Sequence, residues 1–421
     1  MNTLFDFADT LPEAVQKAPI IFPAIKKRGI DLRPYQAEAT DAAIAFFSGY
    51  KRPEIAVLPT GAGKSIIIAE IVKRLNSNVL VLQPSKEILN QNYDKLARYS
   101  DVYDIGKWSS SVGEKNKRRV TFATIGSVRG NPHLWKDCEY CIIDECHVVN
   151  AKDGLSMYMS FFKATNMKAI GLTATPYRLH ASQMYGSQIK MLHRTNPKFF
   201  ANIFYKIQNR RLFDDGFLCP LKYAIYEQSN QNFTQKTSDF DQVSVQKYYI
   251  PKTRTLIDEM MSLVKSQNRN KTLIFVTTLA MCAGVQEALR QNGHICNFVS
   301  GETPARERDS LIYDFKTNKD VRFMVNVGVL TTGFDMPNLD CICLIRPTMS
   351  LSLYYQMLGR GIRICNGKTD CLVIDFSNNY KRFGKIEDLH IAKEDNGLDN
   401  IFTYKKGVRS RLGHVNLSLY I

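Results

Sequence analysis

The chain has 421 residues, 44% of them hydrophobic and 23% charged. That length and balance exclude a disordered chain and a single ordinary core, so two or more domains are expected. Lys and Arg outnumber Asp and Glu by 56 to 40, and the resulting net charge of +16 points to a polyanionic partner without naming it.

Residues 1–30 read as a lead-in in which Pro12, Pro19 and Pro23 interrupt short apolar stretches. A short apolar strand over 55–58 runs into a glycine loop, and SIIIAEIVKRL over 65–75 repeats its apolar residues at helical spacing. The order is therefore strand, phosphate loop, helix. Apolar strands follow at 79–83, 120–123, 140–143 and 169–172, continuous enough to be buried on both faces of a parallel sheet. Residues 178–223 fit no strand of this sheet and are expected to form a helical insertion on a first domain spanning 31–233. The polar stretch TQKTSDFDQV, 234–243, reads as a linker. A second α/β domain over 244–385 repeats the design, with strands at 272–276, 297–300, 323–327, 341–345 and 371–374 and helices such as 280–291, but without a phosphate loop. Residues 386–421 read as a tail.

The ten cysteines are expected to be reduced. Cys141, Cys146, Cys341, Cys343 and Cys371 stand in or beside apolar strand-like runs, where a free thiol behaves as a small hydrophobe. The spacing of Cys138, Cys141 and Cys146 is compatible with zinc, but Cys141 opens a strand and no second Cys-x-x-Cys exists, so no zinc is expected.

Three strings carry the chemistry: LPTGAGKS at 58–65, IIDECH at 142–147 and QMLGRGIR at 356–363. In Thr60-Gly61-Ala62-Gly63-Lys64-Ser65 small residues let backbone N–H groups close around phosphate oxygens at a helix N-terminus. Lys64 then reaches the β and γ phosphates, and the Ser65 hydroxyl ligates Mg²⁺. Leu58 stands where the general pattern has its first glycine. Asp144 and Glu145 close a hydrophobic strand; in a phosphoryl-transfer site Asp144 would hold Mg²⁺ and Glu145 would polarise the attacking water. His147 would bridge this site to Gln356 or to the region of Thr173. Arg360 and Arg363, three residues apart, are expected on one face of a helix with Gln356 one turn earlier. They would act as arginine fingers on the γ phosphate once the two domains close.

In this order the strings resemble the superfamily 2 helicase core, of the DExH type. Motif Ia is similar to VLQPSKEILNQ at 81–91, motif III to Leu172-Thr173-Ala174-Thr175-Pro176, and motif V to VNVGVLTTGFDMP at 325–337. The resemblance runs from residue 32 to residue 378. It implies an α/β fold of two RecA-like parallel-sheet domains in tandem, with an ATP cleft between them. Within that superfamily LRPYQ, LPTGAGKS, DECH, GLTATPYR, VLTTGFD and GRGIR are most similar to the RadD type of bacterial DNA-repair ATPase. Such proteins continue into a cysteine-rich zinc module, whereas no Cys follows Cys371 here. The reading is a short or phage-encoded relative.

The resemblance also implies roles for individual residues. Leu32-Arg33-Pro34-Tyr35-Gln36 is similar to an adenine-recognition segment, in which Gln36 reads the adenine edge and Arg33 or Tyr35 packs the base or orders the loop. Gly333 and Asp335 of motif V would join the nucleotide site, and His147, Thr173 and Thr175 would couple it to movement. Nucleic acid would cross the tops of both domains, held mainly through phosphates by Pro84, Ser85 and Lys86, by Thr124, Ile125 and Gly126, by Ser300 and Gly301, and by Thr331 and Thr332.

The implied activity is an ATP-dependent helicase or translocase using ATP and Mg²⁺, acting on DNA in preference to RNA in repair, recombination or replication. It would work as a monomer, with repair or replication proteins as further partners. DEAD-box RNA helicases are less similar, because motif II reads DECH, motif III reads TAT and motif VI lacks the HRxGR form. A different class of answer is a nucleic-acid clamp that responds to ATP without moving. MNTLFDFADT lacks a basic start before an apolar stretch, and no apolar run reaches membrane length, so a cytoplasmic protein without a membrane partner is expected.

Overall fold

The structure, a computed structural model, describes residues 31–99, 102–150, 154–182, 186–228, 231, 233–236, 239–330, 333–405 and 408–412. The 1–30 lead-in and the two expected nucleic-acid contacts Thr331 and Thr332 lie outside the described residues.

The apolar runs build two sheets. The first has eight strands in the order Ile203–Lys206, Glu54–Val57, Lys168–Thr173, Tyr140–Ile143, Val79–Leu82, Val120–Ala123, Ile105–Ser109 and Glu114–Lys115. All neighbours are parallel except the last pair. Every residue of the Val79–Leu82 and Val120–Ala123 strands is buried, as expected of a sheet covered on both faces. The second sheet has six parallel strands in the order Leu221–Ile225, Cys371–Asp375, Cys341–Leu344, Thr272–Phe275, Phe323–Val327 and Cys296–Ser300. All ten cysteines are free, and Cys141, Cys146, Cys341, Cys343 and Cys371 are buried.

Residues 178–223 are not the helical insertion that the sequence suggests. Tyr177–Ser182 pairs antiparallel with Gly186–Met191, because alternate side chains, Tyr177, Ile189 and Met191 among them, turn into the core. Ile203–Lys206 joins the edge of the first sheet beside Glu54–Val57, and Leu221–Ile225 joins the edge of the second beside Cys371–Asp375. Between these strands the chain forms one 3-10 turn, Leu192–Arg194, and one short α-helix, Asn209–Asp214. The crossing between domains therefore precedes the expected boundary at 233.

Residues 234–243 are not a free linker either. Gln235–Lys236 pairs with Asp239–Phe240, and Phe233 and Phe240 bury their rings in the second core. Asp239 accepts hydrogen bonds from Thr348 Oγ1 and Met349 N, both at 2.8 Å. Two aromatics embedded in a polar stretch are enough to pin it down.

The tail folds back. His390–Lys393, Asp399–Lys405 and Val408–Arg411 form a three-stranded antiparallel sheet whose Ile391 and Ile401 join the core that contains the first sheet. Gln208 exchanges two hydrogen bonds with the Ile391 backbone, at 2.9 and 3.1 Å, and Lys206 pairs with Asp399 at 3.1 Å. The chain thus leaves the second domain and clasps the first. Asn209 is the meeting point: its Oδ1 accepts from Tyr355 Oη and its Nδ2 donates to the Ile386 carbonyl, both at 2.7 Å.

Asn209 is buried, so Asn209→Ala would strand two buried polar groups, each costing about 1–3 kcal/mol. The expected result is a stability loss of about 2–4 kcal/mol in denaturant titration. An unchanged midpoint would mean that this junction is not closed in solution.

Candidate active site

The Glu54–Val57 strand delivers the chain into Leu58-Pro59-Thr60-Gly61-Ala62-Gly63, and the helix Lys64–Leu75 follows at once. Gly61 and Gly63 adopt φ of +84° and +78°, a region that favours glycine. A Cβ on Gly61 would lie 2.8 Å from Leu218, and one on Gly63 would lie 2.5 Å from the Gln36 amide. Leu58, the departure from the general pattern, is wholly buried and belongs to the core.

Two residues of the expected adenine-recognition segment brace this loop. The Gln36 side chain accepts from Arg33 N and donates to the Ala62 carbonyl, both at 3.0 Å, so both ends of its amide are engaged. Tyr35 Oη donates to the same carbonyl at 3.0 Å. The Arg33 guanidinium lies 4.7 Å from the centre of the Phe217 ring. Phe217 lies far along the chain, and no local pattern in the sequence marks it.

The Tyr140–Ile143 strand ends at the two carboxylates. Asp144 is buried and accepts from Glu145 N at 2.9 Å and from Asn92 Nδ2 at 2.8 Å. Burial and the adjacent Glu145 charge raise its pKa to about 6. Glu145 takes a left-handed φ of +45°, which turns its side chain into the cleft. There its Oε1 meets Lys64 Nζ at 3.1 Å and its Oε2 meets His147 Nδ1 at 3.3 Å. Burial opposes its ionisation, but the Lys64 charge and His147 outweigh burial and hold the carboxyl below the usual range.

His147 turns to motif III. Its Nδ1 lies 3.1 Å from Thr173 Oγ1 and 3.5 Å from Thr175 Oγ1, and Thr175 N donates to Thr173 Oγ1 at 3.1 Å. A bond to Gln356, the other expected bridge, is not made. Ser65 Oγ donates to Asn92 Oδ1 at 2.5 Å. Ser65 and Asp144 are therefore joined through one amide, and two adjacent oxygen donors with an undercompensated buried carboxylate fit a hard cation such as Mg²⁺.

The second domain closes the cleft. Gln356, Arg360 and Arg363 face Lys64, Asp144 and Glu145 across it. The helix Leu351–Leu358 ends before the arginines, so they stand on the turn and extended segment after it rather than on one helical face. Glycines on this segment allow close packing: a Cβ on Gly359 would lie 2.8 Å from Thr60 Cγ2 of the phosphate loop, and one on Gly361 2.5 Å from Cys371 Sγ. Arg360 donates to the Phe334 carbonyl at 2.6 Å. Its burial and the neighbouring Arg363 charge lower its pKa to about 10. Arg363 pairs with Asp335 at 3.2 Å, so Asp335 engages the arginine.

The expected nucleic-acid contacts follow the carboxyl ends of strands in both sheets. Pro84, Ser85 and Lys86 lie after Val79–Leu82, Thr124 to Gly126 after Val120–Ala123, and Ser300 and Gly301 at the end of Cys296–Ser300. Several hydroxyls there serve local turns: Ser85 Oγ accepts from Ile88 N at 3.4 Å, and Ser300 Oγ accepts from Glu302 N at 3.2 Å. Asn92 and Lys95, which line the nucleotide cleft, lie just past motif Ia and were not among the expected site residues.

Residues 29–178 match the family model described as "Type III restriction enzyme, res subunit", and residues 251–365 match "Helicase conserved C-terminal domain". The Saccharomyces cerevisiae protein named "Putative ATP-dependent helicase IRC3" is 28% identical over 375 residues, covering 82% of this chain and 51% of that protein. The "DNA 3'-5' translocase XPB2" of Sulfurisphaera tokodaii is 23% identical, covering 81% of this chain and 80% of that one. The chain spans about half the length of the first of these relatives. Among solved structures, the type ISP restriction-modification enzyme LlaBIII bound to DNA shares the fold with a TM-score of 0.60 at 17% identity, over 82% of this chain and 28% of that one. S. cerevisiae Dbp5 bound to RNA shares it with a TM-score of 0.53 at 15% identity, over 82% and 87%. The chain carries two tandem RecA-like helicase domains, homologous to those of superfamily 2 helicases.

Proposed function

We propose that the chain is an ATP-dependent helicase or translocase that acts on nucleic acid, DNA in preference to RNA, and is akin to the RadD type of repair ATPase. One observation above all supports this reading: the phosphate-loop lysine and paired carboxylates of one domain share a cleft with two arginines of the other. Hydrolysis that needs both sides of a cleft can be tied to domain closure.

ATP with Mg²⁺, held by Lys64, Ser65 and Asp144, supplies the phosphoryl bond whose cleavage drives the cycle. Glu145 is kept ionised by Lys64 and His147, the state a general base requires. His147 passes any shift of Glu145 to Thr173 and Thr175, at the end of the Lys168–Thr173 strand. Arg360 and Arg363 are held by Phe334 and Asp335 of their own domain. These partners belong to the motif V segment, which adjoins the proposed nucleic-acid path. A polymer bound across both domains would thereby favour the closed arrangement. The net charge of +16 suits such a polymer. No helix among the described residues is long and apolar enough to cross a membrane.

Lys64→Ala is expected to lose nucleotide binding and hydrolysis together, whereas Glu145→Gln keeps binding and loses turnover. Equilibrium binding beside ATPase rates separates the two, and normal turnover in Glu145→Gln would remove Glu145 from the reaction. Arg363→Ala should lower the ATPase rate at saturating polynucleotide by about 10³-fold with an unchanged melting temperature; wild-type turnover would make this arginine a surface residue.

Substrate preference is read from ATPase rates with matched DNA and RNA oligonucleotides. DNA should stimulate the more strongly. Stimulation by RNA alone would transfer the motor to RNA, and stimulation by neither would leave a static clamp.

A further inference from the structure

The helix Lys86–Tyr99 begins at an expected nucleic-acid contact and continues along the wall of the nucleotide cleft. Gln91, Asn92 and Lys95 line that wall. Gln91 Nε2 donates across the domain boundary to the Gly333 carbonyl at 2.5 Å. Asn92 is buried; its Oδ1 accepts from Ser65, and its Nδ2 donates to Asp144 at 2.8 Å and to Gln83 Oε1 at 3.1 Å. One amide therefore sets the spacing of the two oxygen groups that fit Mg²⁺.

Lys95 lies three residues beyond Asn92, on the same helical face. The other cations of the cleft are engaged: Lys64 by Glu145, Arg363 by Asp335 and Arg360 by the Phe334 carbonyl. Lys95 makes no ion pair with a described residue. Burial and the nearby Arg363 charge lower its pKa, against the weaker pull of the Asp335 and Asp144 carboxylates. A partly buried, unpaired ammonium is costly to keep unless a ligand needs it. The ligand with complementary charge in this cleft is a polyphosphate.

We propose that Lys95 is a further direct contact to the polyphosphate of the nucleotide, and that Asn92 is a positioning residue that holds Ser65 and Asp144 ready for the metal. This rests on the reading of the cleft as an ATPase site. The helix then carries a nucleic-acid contact at its start, a domain-crossing bond at Gln91 and nucleotide contacts beyond it.

The test is equilibrium binding of a fluorescent non-hydrolysable ATP analogue to the full chain, with magnesium titrated and melting temperature recorded for each variant. Lys95→Met should weaken analogue binding about 10-fold with the melting temperature unchanged or raised, and Lys95→Arg should restore most of it. Asn92→Ala should raise the magnesium concentration for half-maximal binding by about 10-fold or more, the usual effect of losing an outer partner of metal ligands, while binding at saturating magnesium recovers. Lys64→Ala is the control. If Lys64→Ala loses binding but Lys95→Met binds as wild type, or weakens only as its melting temperature falls, the Lys95 assignment is overturned and the ATPase site stands. An unchanged magnesium requirement in Asn92→Ala overturns the positioning role. Full analogue binding by Lys64→Ala would instead overturn the site itself.

Discussion

Lys64 and Glu145 meet at 3.1 Å with most of both side chains removed from solvent. A buried ammonium or a buried carboxylate alone would cost several kcal/mol, so each stabilises the other's charge. The surrounding architecture follows from the need to bring them together. The phosphate loop must bend through two left-handed glycines to release Lys64 at the helix start, and Glu145 must take a left-handed turn after its strand. Both distortions lie where parallel strands end, the position in such sheets where backbone is free to form a site.

The same economy extends across the cleft. Arg363 is paired by Asp335 and Arg360 by a backbone carbonyl, so, Lys95 apart, the cations of the cleft stand in protein-internal partnerships that a polyanion can replace. Exchange of partners, rather than creation of new charge, is then the electrostatic event on binding. The domains are already in register for it, because Gly359 packs against Thr60 and Gln91 reaches Gly333. Glu87 and Arg308 add a looser pair at 3.7 Å. On another side, the Ile391 and Ile401 strands pack on the first domain.

Much of this was legible in the residues. Continuous apolar runs announced ten of the fourteen strands in the two main sheets, and the three charged strings named the residues that meet in the cleft. The strands missed include both edges that carry the crossing, Ile203–Lys206 and Leu221–Ile225. An edge strand is half covered, so its polar and apolar residues mix and the apolar run that marks a central strand is lost. Hairpin alternation over 177–191 was likewise hidden among charged residues. Gln36 was assigned to adenine through resemblance; its amide also ties Arg33 N to the Ala62 carbonyl of the phosphate loop, a contact that only the fold reveals. Asn92 and Lys95 carried no signal of their own, since an Asn and a Lys on a polar helix are ordinary surface residues until the fold turns that face inward.

The central claim is that one cleft, built from both domains, exchanges internal ion pairs for the phosphates of ATP. A structure of the chain with Mg²⁺ and a non-hydrolysable ATP analogue tests it most directly. The nucleotide should lie between the domains, with Lys64 released from Glu145 and Arg363 released from Asp335, both turned to phosphate oxygens. Nucleotide bound elsewhere, or bound in the cleft with both ion pairs intact, would contradict it.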